Sequence, residues 1–515
     1  MSAGGPVVVG LDIGTTATKA TAVEVGGRVV ASAHAGYPLD EPRPGEAVQS
    51  PELIVAAVRR VLEEVVASVG AGRVAGVGVS SAMHSLLAVD AAGRPLTPSI
   101  TWADERAAEQ AERLRVTPQG RALHRRTGTP VHAMSPLVKL LWFREHAPEV
   151  MGAACCWMGI KEHVVEALTG ERVVDHSIAS GMGMLDLGRL AWDAEALGLA
   201  GISAAQLPVL VATRAVVGEL RGGGAVPVVV GAGDGPLANL GVGAVRPGVA
   251  ACSIGTSGAV RVAVDRPRVD EDGRLFCYAL TEERWLSGGA INNGGVVLRW
   301  LGSAFGLGNN PEAALLEVAA SVPAGSDGLV MLPQLYGERA PQWSAWARGA
   351  YLGLTHRHGR PHLVRAALEG VCLQMAVVLE SVRAGGAEVC EVRATGGFAR
   401  SPLWRQMLTD ALGMEVRFPE GVEGSSSGAA LLAMVGLGLV DGLDEAGDGV
   451  SIAEVLEPDP RAAEVYAELR GVVEEARGVL AGVMARLRRV DRAPAGAAAP
   501  GGSRLEALTA EIDLG

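Results

Sequence analysis

The N-terminal pattern of apolar and polar residues predicts a β-hairpin. An apolar run at residues 7–11 ends in Asp12, and small and hydroxyl-bearing residues follow at 14–16. Threonine, alanine and valine predominate at residues 18–23, as in a second strand, and residues 28–33 give a third after a Gly-Gly turn. The chain therefore opens with a strand that carries a carboxylate into a tight turn.

The pattern then changes from the period of a strand to the period of a helix. Residues 52–69 place apolar side chains at helical spacing, and residues 73–81 are again rich in β-forming residues. The second of these runs opens into Met83-His84. A strand, a helix and another strand in this order are typical of the start of an α/β layer architecture.

The opening pattern returns near the middle of the chain. A strand is predicted at residues 249–253, a turn at 255–258 and a returning strand at 259–264. The letters S-I-G-T-S-G-A-V there resemble D-I-G-T-T-A-T-K at the N-terminus, which indicates an internal duplication, although so short a match also arises by chance. We therefore predict three segments: residues 1–244, residues 245–488, and a loose tail rich in alanine, proline and glycine at residues 489–515.

Several later elements end in glycine or polar residues. Residues 228–232 form a predicted strand that ends at Gly233-Asp234-Gly235, and a strand at 392–395 ends at Gly396-Gly397. A helix is expected to start near Ser401-Pro402, with serine as the cap and proline in the first turn. Further helices are predicted at residues 296–305, 369–384, 424–436 and 460–488.

The composition is that of a globular protein with more than one core. The chain has 515 residues, of which 49% are hydrophobic and 20% charged, and this length exceeds what one core supports. A formal net charge of −12 argues against a general nucleic-acid binder, which needs a basic face. The sequence has neither a signal-like N-terminus nor an apolar run of membrane-helix length. We therefore expect a cytoplasmic protein with reduced cysteines.

Three glycine turns at strand ends are candidates for phosphate binding. They are Gly14-Thr15-Thr16, Gly255-Thr256-Ser257 and Gly396-Gly397. Glycine lets the backbone approach a ligand closely, and turn N–H groups with threonine hydroxyls can donate to phosphate oxygens. The chain has no G-x-x-x-x-G-K-[ST] loop and opens no helix with G-x-G-x-x-G at its start, which argues against a P-loop and a dinucleotide fold. The alternative for each turn is a structural role alone.

Two longer stretches carry many spaced positions of one known pattern. The first is M-S-P-L-V-K-L-L-W-F-R-E-H at residues 134–146, and the second runs from G-A-Y-L-G-L at 349–354 to H-L-V-R-A-A-L-E at 362–369. Both resemble the FGGY carbohydrate kinases, a branch of the actin, hexokinase and heat-shock-ATPase fold. The resemblance implies an α/β protein of two actin-like (ribonuclease H-like) domains with an active-site cleft between them.

Within that family the resemblance is to the gluconokinases. It rests on four motifs: S-x-x-M-H-S-L-L-A-V-D at residues 80–90, T-W-A-D at 101–104, T-G-T-P-V-H-A-M-S-P at 127–136 and G-G-F-A-R-S-P-L-W-R-Q-M at 396–407.

The resemblance implies roles for two carboxylates. Asp234 would be the general base that takes the proton from the sugar hydroxyl as it attacks the γ-phosphate of ATP. Its alternative role is a cap for the helix that follows. Asp12 would lie near Mg²⁺ and act through water, and its alternative role is a cap for the turn.

The resemblance also implies the ligand contacts. On the sugar side these are Met83, His84, Trp102, Asp104 and Arg106, for which a core histidine and a solvated loop are the alternatives. Arg106 or His84 would meet a substrate carboxylate. On the nucleotide side they are Gly14, Thr15, Thr16, Gly255, Thr256, Gly295, Gly396, Gly397 and Ser401. The sequence departs from some relatives at Arg299, where they have a neutral amide, so the nucleotide site is expected to differ in detail.

The resulting expectation is an ATP-dependent kinase that phosphorylates the 6-hydroxyl of D-gluconate. The alternatives are the same chemistry on xylulose, ribulose, glycerol or another polyol, and a non-catalytic sugar or nucleotide sensor on the same fold. The expected partners are a sugar acid and ATP, without nucleic acid or membrane. A homodimer is allowed for.

Overall fold

The computed structural model describes residues 5–222, 224–308, 311–420 and 424–490, which divide into two compact units. The first unit comprises Met1–Val249, Val262–Ser287 and Gly421–Ser451. The second unit comprises Ala250–Arg261, Gly288–Glu420 and Ile452–Gly515. Each unit is therefore assembled from segments that are not contiguous in the sequence.

The N-terminal half of the chain alternates strands and helices. Its strands are β1 (Val7–Ile13), β2 (Ala17–Glu24), β3 (Val29–Gly36), β4 (Val48–Gln49), β5 (Val74–Ser81), β6 (Leu87–Val89), β7 (Ser99–Ile100), β8 (Cys156–Met158), β9 (Val173–Asp175), β10 (Leu185–Asp186), β11 (Ala191–Trp192), β12 (Val209–Val211), β13 (Val216–Glu219) and β14 (Pro227–Gly233). Its helices are α1 (Pro51–Val69), α2 (Ala108–Arg115), α3 (Pro118–Thr127), α4 (Pro136–His146), α5 (Pro148–Ala153), α6 (Ile160–Thr169), α7 (His176–Ser180), α8 (Ala194–Ala200) and α9 (Asp234–Gly241).

The C-terminal half continues with longer helices. Its strands are β15 (Val249–Ile254), β16 (Gly258–Val264), β17 (Phe276–Thr281), β18 (Arg284–Ile291), β19 (Val330–Leu332), β20 (Ala350–Leu352), β21 (Glu391–Thr395), β22 (Val416–Pro419) and β23 (Ile452–Leu456). Its helices are α10 (Val296–Ala304), α11 (Glu312–Ala320), α12 (Arg360–Ala384), α13 (Pro402–Leu412), α14 (Gly424–Gly436), α15 (Leu443–Asp448) and α16 (Pro460–Val490). Short 3₁₀ turns lie at Ala71–Arg73, Ala204–Gln206, Ser326–Gly328 and Gly397–Arg400.

The sheet of the first unit brings three parallel strand ends to one edge. Its order is β13-β14-β5-β1-β2-β3. Strand β1 pairs with β2 in the antiparallel direction, which confirms the predicted hairpin, and with β5 in the parallel direction. Strand β14 is also parallel to β5. The carboxyl ends of β1, β5 and β14 therefore lie side by side.

Helix α14 packs against this sheet through its small residues. A Cβ on Gly10 of β1 would lie 1.8 Å from the carbonyl oxygen of Ser426, and one on Gly78 of β5 would lie 2.2 Å from that of Ala429. Only glycine permits so close an approach of the helix backbone to the strands. The buried side chains of α14 then join Val8 of β1 in one hydrophobic cluster.

The sheet in the C-terminal half shares the central arrangement of the first sheet. Its order is β17-β18-β16-β15-β21-β22-β23, so β15 has later strands on both sides, as β1 has. This repeat is consistent with the internal duplication predicted from the sequence. Helix α12 is long and apolar enough to cross a membrane by length and composition, but 89% of its apolar window is buried inside the protein, as in the core helix of a globular unit.

The predicted elements agree with the structure except at some boundaries. The helix predicted at 52–69 is α1, which begins after Ser50 accepts a hydrogen bond from the Leu53 N–H. Helix α12 starts at Arg360 rather than at residue 369, because Gly359 and a proline in the first turn supply a helix start upstream. Helix α16 extends to Val490, and the rest of the predicted tail lies outside the described residues.

The predicted domain boundary lies close to the end of the longest segment of the first unit, but the unit also includes two later segments. The main division falls at Val249, whereas the prediction places it at residues 244–245. The first unit also takes segments from 262–287 and 421–451. All six cysteines are free thiols, of which Cys155 and Cys390 are exposed. The reduced state predicted for them is therefore consistent with the structure.

Candidate active site

Two carboxylates lie at the carboxyl ends of parallel strands in the first unit. Asp12 of β1 is in register with Ser80 of β5, and Ser80 is in register with Ala232 of β14. Asp234 follows directly after β14. The Ser80 hydroxyl donates a hydrogen bond of 2.6 Å to Oδ1 of Asp12. The topology therefore brings together the two residues that the sequence analysis assigned to the metal and to the base.

The electrostatics of this edge favour a bound cation. Burial, and then the charge of Asp234, raise the pKa of Asp12 to about 6, while the Ser80 hydroxyl and the charge of Lys19 lower it. Lys19 is the direct partner of Asp12 in the β1–β2 ladder. The charge of Asp234 thus disfavours ionisation of Asp12, and a positive charge beside the two carboxylates relieves this repulsion.

Asp234 occupies the first turn of helix α9 rather than its cap. Gly233 is the N-cap residue. Oδ1 of Asp234 accepts a hydrogen bond of 2.7 Å from the Gly235 N–H, and the Ser425 hydroxyl lies 3.2 Å from its carbonyl oxygen. The N-terminal end of a helix stabilises negative charge. The carboxylate therefore contacts the helix N-terminus from within the first turn, and the base and the helix-terminal role both stay predictions.

A buried ion pair supports the end of β14. Lys161 of α6 and Asp175 at the end of β9 form an ion pair of 2.6 Å, with both side chains at or below 1% exposure. The same ammonium donates to the carbonyl oxygen of Ala232 at 3.1 Å. The Ser177 hydroxyl accepts a hydrogen bond of 3.2 Å from the Gly233 N–H. These contacts fix the backbone that carries Asp234.

The first glycine turn is held from three sides. The Tyr37 hydroxyl donates to the carbonyl oxygen of Gly14 at 2.6 Å, and the Gln49 amide donates to that of Thr15. The indole N–H of Trp102 donates to the Thr15 hydroxyl at 2.9 Å. These bonds hold the turn in one shape. Trp102, which is predicted to bind the sugar, therefore contacts Thr15, which is predicted to bind phosphate.

Met83 and His84 continue from β5 at the same edge. Met83 is buried, and a Cβ on Gly233 would lie 2.7 Å from its Cγ, so Met83 packs beside Asp234's neighbour. His84 has a positive φ of 68°. Its Nδ1 lies 2.8 Å from the Gly181 carbonyl oxygen, which assigns the proton of the neutral ring to Nδ1. Nε2, 3.5 Å from the Tyr278 hydroxyl, is then an acceptor.

Asp104 and Arg106 bind each other. The guanidinium forms two hydrogen bonds to the Asp104 carboxylate, of 2.8 and 2.7 Å, and lies 5.2 Å from the ring centroid of Trp142. Asp104 also accepts a hydrogen bond from the Ala47 N–H at 2.8 Å, and its side chain is buried. Their predicted contacts with a sugar stay predictions, because in this conformation each residue mainly orders the loop around Trp102.

The second unit assembles its glycine turns through the backbone. The N–H of Gly295 donates to the carbonyl oxygen of Gly255 at 2.7 Å, and the N–H of Gly294 donates to that of Thr256 at 3.1 Å. Gly396 has a φ of +113°, and a Cβ there would lie 2.3 Å from the carbonyl oxygen of Ile254. These residues, which are predicted to bind the nucleotide, therefore form one cluster at the end of β15.

The remaining predicted nucleotide residues follow this cluster along the chain. Gly397 begins the 3₁₀ turn, and Ser401 is the N-cap of α13, where its hydroxyl accepts a hydrogen bond from the Trp404 N–H at 3.3 Å. Arg299 of α10 donates to the Thr256 hydroxyl at 3.2 Å. The departure noted in the sequence therefore adds a cation at the second threonine turn.

Sequence reasoning missed two cations near the site. Lys19 was treated only as part of a strand, although the two-residue period of the hairpin places it opposite Asp12. Lys161 carried no local signal, because it meets β14 only through tertiary packing. A register count across the hairpin finds Lys19, whereas only the fold reveals Lys161.

Family models match both halves of the chain. The N-terminal domain of the FGGY family of carbohydrate kinases matches residues 7–241, and its C-terminal domain matches residues 250–437. The chain belongs to this family. It is accordingly a phosphotransferase with an alcohol group as acceptor, and the predicted two-domain α/β fold is confirmed.

Curated relatives and solved structures agree with this assignment. The chain is 42% identical to a gluconokinase of Bacillus subtilis (strain 168) over 459 residues, 86% of this chain and 90% of that protein. It is 33% identical to a xylulose kinase of Escherichia coli (strain K12) over 439 residues, 83% and 89% of the two chains. The solved gluconate kinase from Lactobacillus acidophilus is 34% identical and matches with a TM-score of 0.90 over 94% of this chain and 99% of that one.

The donor set suits magnesium bound mostly by water. Among the described residues, no group of three or more histidine, cysteine or acidic side chains comes together as a metal site. Asp12 and Asp234 supply a pair of carboxylates whose charges repel. Mg²⁺ prefers oxygen ligands and keeps several of its waters, so one or two carboxylates fit it.

Proposed function

We propose that this protein transfers the γ-phosphate of ATP to the 6-hydroxyl of D-gluconate. The observation that supports the chemistry is the pair Asp12 and Asp234 at the ends of β1 and β14, two parallel strands that flank β5. The choice of acceptor rests on the relatives, because the identity to the gluconokinase is 42% and that to the xylulose kinase 33%.

In this proposal, Asp234 is the general base. An alcohol is a weak nucleophile at neutral pH, so a carboxylate within hydrogen-bond reach both orients it and accepts its proton. The backbone below Asp234 is held by Lys161 and Ser177. A base on such a fixed backbone loses little entropy when the acceptor binds.

Asp12 would hold Mg²⁺ through water, with Asp234 as the second nearby carboxylate. The ion would supply charge neutralisation for the phosphates of ATP. The chain itself supplies the Ser80 hydroxyl, which fixes the Asp12 carboxylate, and Lys19, whose positive charge lies beside it. Asymmetry between the two glycine turns supports this assignment, because Ser253 stands where the first turn has Asp12.

Phosphate binding is assigned to the glycine turns of each unit. Thr15 and Thr16 would donate from the first unit, and Gly255 and Thr256 from the second. Arg299 would add a charge-assisted contact beside Thr256, since its guanidinium already donates to that hydroxyl. Gly295, Gly396, Gly397 and Ser401 would lie near the adenosine.

The acceptor would bind against the residues that follow β5 and β7. In the neutral His84 ring, Nε2 would accept a hydrogen bond from a sugar hydroxyl. Trp102 would cover an apolar face of the acceptor. Arg106 would reach a substrate carboxylate only by loosening its bonds to Asp104. Arg106 and His84 therefore both stay candidates for the carboxylate contact.

An ADP-release assay with a panel of acceptors tests this proposal. We expect the highest kcat/KM with D-gluconate, and lower values with D-xylulose, D-ribulose and glycerol. A solved, ligand-bound xylulose kinase from Lactobacillus acidophilus is equally similar in fold, with a TM-score of 0.90, so D-xylulose is the acceptor to compare most closely. Preference for a ketose would overturn the proposed acceptor. ATP binding without turnover on any acceptor would favour the sensor alternative.

Cytoplasmic location and a homodimer stay predictions. Relatives of this chain include bacterial metabolic kinases, which is why we keep the cytoplasmic expectation. Fractionation of the native host and light scattering of the purified chain would test the two statements separately.

A further inference from the structure

Lys139 is a buried lysine that the proposed reaction does not use. It lies on α4 directly after the apolar residues 136–138, and its side chain is 0% exposed. Its ammonium donates to the carbonyl oxygens of His84 at 2.6 Å and Thr101 at 2.7 Å, with Ile100 at 3.4 Å. Three N–H donors thus meet three backbone acceptors.

These carbonyls belong to the two segments that carry the predicted acceptor contacts. His84 is itself one of those residues, and Thr101 directly precedes Trp102. The two segments are already paired through the backbone of Leu86 and Ile100, and the Lys139 ammonium adds a bond to a carbonyl oxygen of each segment beside that pair. His84 also holds a positive φ of 68°, which costs energy for a residue with a Cβ. A hydrogen bond to its carbonyl oxygen helps to hold that conformation.

A lysine is a costly choice for this position if it only fills space. Burial lowers the pKa of Lys139 to about 7, and of the nearby charges Asp104 raises it and Arg106 lowers it. No carboxylate among the described residues pairs with it directly as a salt bridge, and the side chain of Asp104 is bound to Arg106 instead. A methionine of similar length would fill the same volume without the cost of a buried charge.

We propose that Lys139 is a positioning residue that fixes the acceptor side of the site by binding the His84 and Thr101 carbonyls at once. This inference rests on the proposed function, because it assumes that these two segments contact the acceptor. Lys139 is fully buried, so it acts through the position of His84 and Trp102.

The first test is the Lys139→Met variant in steady-state kinetics. We expect the KM for D-gluconate to rise roughly 10- to 100-fold, the range for loss of hydrogen bonds from a charged group, with a KM for ATP within about twofold of wild type. Lys161→Met is the matched control, since it removes the other buried lysine of this unit. It is expected to lower kcat through β14 without the same rise in acceptor KM. Equal effects of both variants on stability, with no KM split, would overturn the positioning role.

A second measurement does not depend on turnover. Amide hydrogen exchange in Lys139→Met should accelerate in peptides covering residues 82–88 and 100–106, but not in the β1–β2 hairpin. Unchanged exchange in both peptides would overturn the inference even if the protein phosphorylates no sugar. Lack of turnover by the wild-type protein with any acceptor would instead contradict the proposed function.

A third measurement uses only the wild-type protein, in case Lys139→Met does not fold. Above about pH 7 the Lys139 side chain loses a proton, and a neutral amine has two N–H donors for three carbonyls. The charged groups that act on it are Asp104 and Arg106, and its contact with His84 is through the carbonyl oxygen of that residue. We expect the KM to rise from about pH 6 to about pH 8 for the uncharged acceptor D-xylulose as well as for D-gluconate, whereas loss of a charge that pairs with the substrate carboxylate would affect D-gluconate alone, and the ATP KM should change less. A flat acceptor KM over this range would contradict the proposal.

Discussion

At the scale of single residues, the site is defined by charged side chains that can be identified in the sequence, although the sequence does not show that they lie close together. Asp12 and Asp234 are far apart in the chain, and each stands in a motif that an ordinary turn or helix cap also explains. The fold brings them to the ends of two strands that flank β5, where the charge of Asp234 helps to raise the pKa of Asp12. Turn chemistry could be predicted locally, whereas this mutual repulsion depends on the order of strands in the sheet.

Replacing the proposed base should slow the chemical step. Asp234→Asn keeps the shape of the side chain but cannot accept the proton, so we expect kcat to fall by roughly 10²- to 10⁴-fold with a smaller change in KM. The measurement is the ADP-release assay with D-gluconate. Asp272→Asn is a suitable control, because that side chain is 73% exposed. Near-normal turnover of Asp234→Asn would remove the base role from this residue.

The Arg299 guanidinium gives a separate prediction on the nucleotide side. It donates to the Thr256 hydroxyl, and burial lowers its pKa while Glu312 and Tyr336 raise it. Arg299→Gln should raise the KM for ATP about 10- to 100-fold through loss of a charge-assisted contact, with little change in the acceptor KM. Arg357→Gln removes an exposed arginine of the same unit as control. An unchanged ATP KM in Arg299→Gln would contradict the phosphate contact.

At the level of elements, the strands and helices could be predicted because each depends on the spacing and composition of residues close together in the sequence. The hairpin and α1 follow from the spacing of apolar residues and from turn residues, and α14 follows from its composition of small residues. The support of β14 could not be predicted in this way. Lys161 and Asp175 are buried as an ion pair behind it, and nothing near either residue in the sequence indicates the partner.

Helix α6 also carries a buried acid, Glu162, which should make the stability of the protein depend on pH. Oε2 of Glu162 accepts a hydrogen bond of 2.6 Å from the Gly159 N–H, and Oε1 is buried without a hydrogen-bond partner in the described structure. Burial, and then the charge of Asp175, raise the pKa of Glu162 to about 7. The folded protein therefore binds this proton more tightly than the unfolded chain, and the free energy of unfolding falls as pH rises from about 4.5 to about 7.

Glu162→Gln keeps the cap of α6 and removes this titration. We expect the variant to be more stable than wild type by up to about 3 kcal/mol at pH 8, and to gain little at pH 5, where Glu162 is protonated. Urea unfolding at both pH values measures the difference. Glu64→Gln, an exposed substitution on α1, should change the free energy of unfolding equally at the two pH values. A gain for Glu162→Gln that is the same at pH 5 and pH 8 would contradict the assigned pKa.

For the whole molecule, the sequence predicted the family and a repeated unit of strand, glycine turn and strand, but it did not predict which segments make up each unit. A boundary read along the chain assumes that a domain is continuous. The first unit instead recruits 262–287 and 421–451 from the second half of the sequence. The signal for α14 was its small residues, and these predict close packing without naming the sheet against which the helix packs.

The recruited segments predict that the N-terminal fragment is not an independent folding unit. A chain of residues 1–244 contains the six-stranded sheet but lacks α14, whose backbone contacts Gly10 and Gly78 and whose side chains share a core with Val8. The exposed apolar face should leave the fragment without a cooperative thermal transition and able to bind a hydrophobic dye. Circular dichroism melts and dye fluorescence, with the full chain as control, measure this. Cooperative melting of the fragment within about 5 °C of the full chain would mean that α14 contributes little to the stability of this sheet.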